Sequence, residues 1–367
     1  MNLDFKELIQ AFQIPGKYIG CEELLAGNIN QTYLLHFSEE TDAYYILQKI
    51  NTFVFREPEK VMENILRVTN HIWNKVVDSG IPKPTRRVLH YLTTADGKPY
   101  AKLGDSFWRG YRYIDHARTY DIIGDAEYFR QAGCAFGEFQ GYLADFPAET
   151  LHETIPDFHN TPQRMKQLRE AIQRDTVGRA AAVREEIDFV LSREKESAAI
   201  VQALEEGRIP WRVTHNDTKI NNVLFDTVSD TAICVIDLDT IMPGSSLYDY
   251  GDAIRSGANT AGEDEEDLSL IRFDLERFEA FTRGFLEKSG DRLTAEEIRL
   301  FPAAARILTI ELAARFLADY LNGDVYFKVK KNGHNLIRTR NQIELVRQME
   351  AATPAMEAIV AKYAPQH

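Results

Sequence analysis

Residues 213–226 read Val213-Thr214-His215-Asn216-Asp217-Thr218-Lys219-Ile220-Asn221-Asn222-Val223-Leu224-Phe225-Asp226, and residues 232–239 read Ala232-Ile233-Cys234-Val235-Ile236-Asp237-Leu238-Asp239. The first run opens apolar, passes through a polar loop carrying His215, Asp217, Lys219 and Asn222, and returns to apolar residues at Val223. The second is rich in β-branched residues and ends on Asp237 and Asp239. Turn residues Asp226, Ser229 and Asp230 lie between them, so the two runs read as a hairpin. The hairpin predicts that Asp217, Asn222 and Asp237 gather at one end of a small ribbon. That set suits phosphoryl transfer. One carboxylate orients an attacking hydroxyl and takes its proton, while an amide oxygen and a second carboxylate hold Mg²⁺ against nucleotide phosphates. Mg²⁺ needs few protein oxygens when phosphate and water complete its octahedron. His215 reads as a brace for the loop, and Lys219 as either a phosphate contact or a solvated cation.

The spacing His-x-Asp-x-x-x-x-Asn matches the protein-kinase catalytic loop, with Asp237 where that fold places a metal-binding Asp. At these residues the chain resembles the aminoglycoside phosphotransferase and choline kinase superfamily, and within it the N-acetylhexosamine 1-kinases. The likeness continues through Ile236-Asp237-Leu238-Asp239-Thr240-Ile241-Met242-Pro243-Gly244, Tyr248-Asp249-Tyr250-Gly251-Asp252, Phe316-Leu317-Ala318-Asp319-Tyr320-Leu321 and Asn335-Leu336-Ile337-Arg338-Thr339-Arg340. It runs over nearly the whole chain and is densest after residue 210. It implies an α+β, two-lobed protein-kinase-like fold of the aminoglycoside phosphotransferase type. The N-lobe (1–113) would be a small sheet that binds nucleotide, and the C-lobe (114–367) mostly helical. It further implies ATP as phosphoryl donor, Mg²⁺ on Asn222 and Asp237, and Asp217 as base. Asp217 and Asp237 would border the acceptor, with Arg315 and Tyr326 as sugar contacts. Asp249 and Asp252 would brace the catalytic loop. Asp239 is read as a further brace, with a sugar contact as the alternative.

Upstream, residues 22–26, 32–37 and 44–50 read as strands, and Gly27-Asn28-Ile29-Asn30 joins the first two. In a kinase-like lobe a glycine-rich loop covers the phosphates here. Only Gly27 remains, and Asn28 and Asn30 tolerate left-handed turn geometry. On the third strand Gln48 stands where the related fold has a phosphate-binding lysine, and Lys49 follows one residue later. Side chains alternate along a strand, so only one of the two points at the nucleotide. The missing lysine weakens any ion pair with Glu63 on the helix predicted over 59–77. The segment 107–114 is the implied hinge, with adenine held by the backbone near Tyr113, Ile114 and Asp115.

Downstream of the hinge the chain reads as helices. Phe129, Ala132, Phe136, Phe139 and Leu143 mark one apolar stripe, and Ile298, Phe301, Ala305, Leu308, Leu312 and Phe316 mark another on a single long helix. Arg315 lies beside that second stripe and needs a partner there. Pro243-Gly244 reads as a turn. The acidic run 263–267 is expected at the N-terminus of the following Phe-rich helix, where it favours the dipole. His159 and Arg164 read as solvated surface, with a ligand contact as the alternative, and the last helix is predicted over about 335–363.

The 367 residues carry a net charge of −13, which argues against nucleic acid or an anionic membrane as partner. Three widely spaced cysteines and no signal-like or membrane-length apolar run predict a cytoplasmic protein with reduced thiols. P-loop, zinc-protease and serine-hydrolase motifs are absent. The expected activity is transfer of phosphate from ATP to the anomeric hydroxyl of an N-acetylhexosamine. Alternatives are a choline, aminoglycoside or homoserine type of acceptor, or a non-catalytic nucleotide-binding protein.

Overall fold

The computed structural model describes residues 5–24, 29–38 and 43–365. Gly27 and Asn28 lie outside the described residues. The N-terminal part is an antiparallel sheet in the order β1-β2-β3-β5-β4, built from Lys17–Leu24, Gln31–Ser38, Ala43–Lys49, Ala101–Leu103 and Ser106–Arg112, where β4 and β5 are the last two ranges. Alternation along these strands sorts the side chains. Tyr33, Leu35, Phe37, Tyr45, Leu47 and Trp108 face a short helix α1 (Lys6–Ala11) and pack with Phe5, Leu8 and Phe12. The opposite face carries Thr32, Ile46, Gln48, Arg109 and Tyr111, and turns toward the rest of the molecule.

Helix α2 (Pro58–Asp78) covers that inner face. Pro58 at its first turn needs no intrahelical donor, and Val61, Ile65, Val68, Ile72 and Val76 form its buried stripe. After α2, Tyr91 bridges Tyr111 of β5, and the Leu92 amide donates to the Gly110 carbonyl at 2.8 Å. The Asp96-Gly97 turn does form, with Thr94 N–H donating to the Lys98 carbonyl at 2.8 Å.

The C-terminal part is mostly helical. Helix α3 (Ala126–Tyr142) buries the stripe Phe129, Ala132, Phe136 and Phe139. It crosses a later Phe-rich helix at very short range, because Gly133, Gly137 and Gly284 bring backbone against backbone. Between them stand helix α4 (Thr161–Arg174), the strands that carry the site, and helix α5 (Ser246–Gly257), capped by Ser245. Strand β6 is Ala117–Arg118, β7 Arg212–Thr214, β8 Val223–Asp226, β9 Ala232–Val235 and β10 Met242–Gly244. The Phe-rich helix is α6 (Leu275–Ser289), followed by α7 (Phe301–Asn322) and α8 (His334–Ala351).

Four expectations need correction. Pro243-Gly244 is not a turn but part of β10, paired antiparallel with β7. The long stripe is broken at Leu300: Ile298 belongs to a separate short helix, and Pro302 opens α7. Likewise the last predicted helix divides at Ala352, just before Pro354. The acidic run 263–267 does not cap α6, whose N-cap is Asp274. Instead Glu263 pairs with Arg255 of α5, and Asp264 meets Arg338 and His334 of α8 and Lys330 just before it.

Candidate active site

Strands β8 and β9 form the predicted hairpin, with Val223 opposite Val235. Just outside the ladder, Ile236 N–H donates to the Asn222 carbonyl at 2.9 Å. This places Asn222 and Asp237 at the same end. Asn222 Nδ2 also donates to the Asp217 carbonyl at 2.8 Å and to Asp217 Oδ2 at 3.1 Å. Asp217, Asn222 and Asp237 are therefore one group.

The loop carrying Asp217 is held from below by α5. Asp249 is buried and accepts the His215 and Asn216 amides at 3.0 and 2.8 Å, while Gln140 Nε2 donates to it at 2.8 Å. Asp252 accepts the Thr218 amide at 3.1 Å and two donors of Arg255. His215 Nε2 donates to the Ile236 carbonyl at 2.9 Å, and its Nδ1 accepts the Asp217 amide at 3.3 Å. These two bonds fix the Nε2–H tautomer, and Phe136 and Phe139 present their edges to the ring. Asn216 and Asp237 both adopt positive φ, 67° and 61°. Such backbone is sparsely populated by residues other than Gly and persists only where neighbours hold it. Here the neighbours are the Thr240 carbonyl, which accepts from Asn216 Nδ2, and the strand pairing before Asp237.

Three carboxylates crowd this end. Burial, then Asp239 and Asp217, push Asp237 up to about 6. Lys219 lies 2.6 Å from Asp217. Burial opposes its charge, but Asp217 and Asp252 together hold it above the usual lysine range.

Asp239 is paired differently. It is buried and salt-bridged to Arg109 of β5, and Asn30 Nδ2 donates to its other oxygen at 2.6 Å. Arg109 lies opposite Gln48 in the β3–β5 register, so the two side chains share a face. Arg109 Nε donates to Gln48 Oε1 at 2.9 Å, and Gln48 Nε2 donates to Thr32 at 3.0 Å. Lys49, opposite Trp108, turns to the α1 face. Glu63 pairs with His152 at 2.9 Å. The cation on the inner face of the sheet is thus an arginine from β5. Sequence reading missed Arg109, although an arginine between Trp108 and Gly110 in the aromatic run 107–113, on the same strand face as Phe107 and Tyr111, was the available signal.

At the hinge, Tyr113 N–H donates to the Tyr44 carbonyl at 3.0 Å, and Ile114 is buried. Arg86 pairs with Asp226 and donates to the carbonyls of Asp115 and His116. On the far side of the catalytic loop, Arg315 lies over the rings of Phe158 and Phe327, 5.7 and 5.5 Å from their centroids. Tyr326 is 72% exposed, on a turn fixed by Asp319, which accepts the amides of Val325, Tyr326 and Phe327. His159 and Arg164 depart from the expectation of solvated surface. His159 is buried with Nδ1 on Glu311, and Arg164 is half-buried beside it. The unread signal was Glu311 itself, a carboxylate within an apolar helix that must find a partner.

The profile described as "APH: Phosphotransferase enzyme family" matches residues 20–285. Among solved structures, a microcompartment-associated aminopropanol kinase superposes with a TM-score of 0.62 at 15% identity, covering 96% of this chain and 99% of that one. Amicoumacin kinase hAmiN, in complex with AMP-PNP, Ca²⁺ and Ami, gives 0.59 at 12% identity over 94% of each chain. Choline kinase from Cryptosporidium parvum gives 0.56 at 13% identity, covering 94% of this chain and 93% of that one. These likenesses agree on the two-lobed, kinase-like α+β fold. Among the described residues no helix is long and apolar enough to cross a membrane.

Proposed function

The chain belongs to this phosphotransferase enzyme family, and we propose that within it the protein is an ATP- and Mg²⁺-dependent kinase of N-acetylhexosamines, forming the sugar 1-phosphate. The observation that carries the phosphoryl-transfer chemistry is the hydrogen-bonded group of Asp217 and Asn222 beside Asp237. Asp217 orients the acceptor hydroxyl and takes its proton. A hemiacetal hydroxyl is more acidic than an ordinary alcohol, so its proton is the easier to remove. Lys219 holds Asp217 in place and lies within reach of a transferred phosphoryl oxygen.

The donor set fits Mg²⁺. Asn222 spends its amide nitrogen on Asp217 and so leaves Oδ1 as ligand beside the Asp237 carboxylate. Burial and the neighbouring carboxylates disfavour the Asp237 charge, and a divalent cation relieves that. Among the described residues no group of three or more His, Cys, Asp or Glu is arranged to hold a metal, so phosphate and water supply the remaining ligands. When bound, the cation supplies neutralisation of charge on the phosphates. Asn30 and Gln48 line the phosphate end, and adenine contacts fall to the backbone of Tyr113, Ile114 and Asp115. This division puts the lobe boundary between residues 113 and 114. Arg315 and Tyr326 contact the sugar, while His215 and Asp252 brace the loop; Asp239, expected to brace it too, holds Arg109 and Asn30 instead.

The N-acetylhexosamine assignment is supported by the likeness of the segments around Asp217, Asp237, Arg315 and Tyr326 to those sugar kinases. The test is ADP release with Mg-ATP against N-acetylglucosamine, N-acetylgalactosamine, glucose, choline, homoserine and kanamycin, with ³¹P NMR of the product. Turnover on the N-acetylhexosamines with an anomeric phosphate is expected. Turnover confined to choline or kanamycin would overturn the acceptor assignment. The Asp217→Asn protein should keep ATP binding and lose turnover by about 10²- to 10⁴-fold; near-normal turnover would remove Asp217 as base.

A further inference from the structure

Residues 158–164 run past α5 and onto α7. Glu311 of α7, 1% exposed, takes His159 Nδ1 on one oxygen at 2.9 Å and Thr161 Oγ1 on the other at 2.6 Å. Its acceptor capacity is thereby directed at the segment that precedes α4. In the tautomer that donates Nδ1–H to Glu311, His159 Nε2 presents a lone pair. That atom is buried and has no partner among the described residues. Arg164 is in the same condition. Its terminal nitrogens donate to the Phe158 carbonyl at 3.0 Å and to Gln167 at 3.2 Å, yet its buried Nε has no partner among the described residues. Burial and then the neighbouring Arg315 guanidinium disfavour the Arg164 charge. Arg315 itself rests between Phe158 and Phe327.

Buried polar nitrogens are hydrogen-bonded as a rule, so two without a protein partner among the described residues, beside a second arginine, call for a group that meets them. The set also adjoins the catalytic loop. The His159 ring packs on Tyr248 of α5 at 5.1 Å, one turn before Asp252, which holds the Thr218 amide. We infer that His159 and Arg164, together with Arg315, form the acceptor-recognition subsite, and that it takes a neutral group carrying both a hydrogen-bond donor and an oxygen acceptor. A secondary amide or a pair of sugar hydroxyls meets that description: its N–H or O–H donates to His159 Nε2, and its oxygen accepts from Arg164 Nε. An ammonium group fits it less well, because it would face the Arg164 and Arg315 guanidinium charges while the Glu311 carboxylate is already spent on His159 and Thr161. This subsite rests on the reading of the protein as a small-molecule kinase whose acceptor lies beside Asp217.

The experiment compares wild type, Arg164→Met and His159→Asn with N-acetylglucosamine, glucose and glucosamine as acceptors. Met fills the arginine stem without donors. Asn keeps a donor toward Glu311 and deletes the Nε2 position. Mg-ATP binding by calorimetry and thermal melting run beside the kinetics. Expected is a rise in the KM for N-acetylglucosamine of about 10- to 100-fold in each variant, with Mg-ATP affinity held, from the loss of a buried hydrogen bond. Wild type should also prefer N-acetylglucosamine and glucose over glucosamine at pH 7. An unchanged acceptor KM in both variants would overturn the subsite while leaving the kinase reading intact. So would a preference of wild type for glucosamine, which also decides the matter if a variant fails to fold. No turnover on any of the three sugars, with Mg-ATP still bound, would instead overturn the sugar-acceptor reading and the subsite with it.

Discussion

Replacing Arg109 by Met tests whether the arginine from β5 ties the two lobes together. Arg109 and Asp239 are 2% and 5% exposed, so neither charge can return to water while the fold stays closed. Removing the guanidinium leaves the Asp239 carboxylate with the Asn30 amide on one oxygen, and frees Gln48 Oε1. Breaking a buried ion pair from one side costs about 3–5 kcal/mol, because the survivor is a desolvated, unpaired charge. Against a typical total stability of about 5–15 kcal/mol this is a large fraction. The reverse single variant, Asp239→Leu, should cost a comparable amount. The double variant, Arg109→Met with Asp239→Leu, should cost far less than the sum, since no buried charge is left. Urea unfolding of the four proteins, with a common m-value, gives the coupling energy. Arg109→Lys should fall between, because a point charge cannot serve Asp239 and Gln48 Oε1 together. If either single variant unfolds within about 1 kcal/mol of wild type, or the double variant is additive, the pair is not the clasp described here.

Three further outcomes follow from the structure. Asp237→Asn should raise the Mg²⁺ concentration needed for half-maximal turnover by at least about 10-fold, and an unchanged Mg²⁺ titration would exclude Asp237 as ligand. Gly284→Ala should lose about 1–3 kcal/mol by thermal melting, because a Cβ there would sit 2.1 Å from the Arg130 carbonyl oxygen; Gly262→Ala, with nothing within 4 Å, serves as the silent control. Arg118, then Tyr128 and Tyr120, hold the Asp230 carboxyl at about 2, below the ordinary aspartate value. Its folded value is the lower one, so its contribution is complete above about pH 4 and is lost as pH falls toward 2. Asp230→Asn should therefore flatten the decline of the urea midpoint between pH 5 and 2, and an unaltered decline would refute the assignment.

What could be read in the sequence and what could not divide along a physical line. The catalytic ribbon was legible because its logic is local. A hairpin with turn residues at 226–230 brings Asn222 and Asp237 together whatever surrounds it, and only four residues separate Asp217 from Asn222. Helical stripes were legible for the same reason, and they failed only where Pro302 and Pro354 set boundaries that apolar spacing does not encode. The partners of buried charges were not legible, because they are distant in sequence. Arg109 and Asp239 are 130 residues apart, and His159 and Glu311 are 152 apart. In each case one member looked like an anomaly: an arginine in an aromatic strand, a glutamate in an apolar helix. Read alone, such a residue says only that a partner must exist. The sheet register supplies the rest. Gln48 at the place of the expected lysine looked like a loss of function, yet Arg109 lies directly across the ladder from it. A positive charge on the inner face is kept, on the neighbouring strand instead of the third. The requirement belongs to the face of the sheet, which folding defines, and not to a position in the chain.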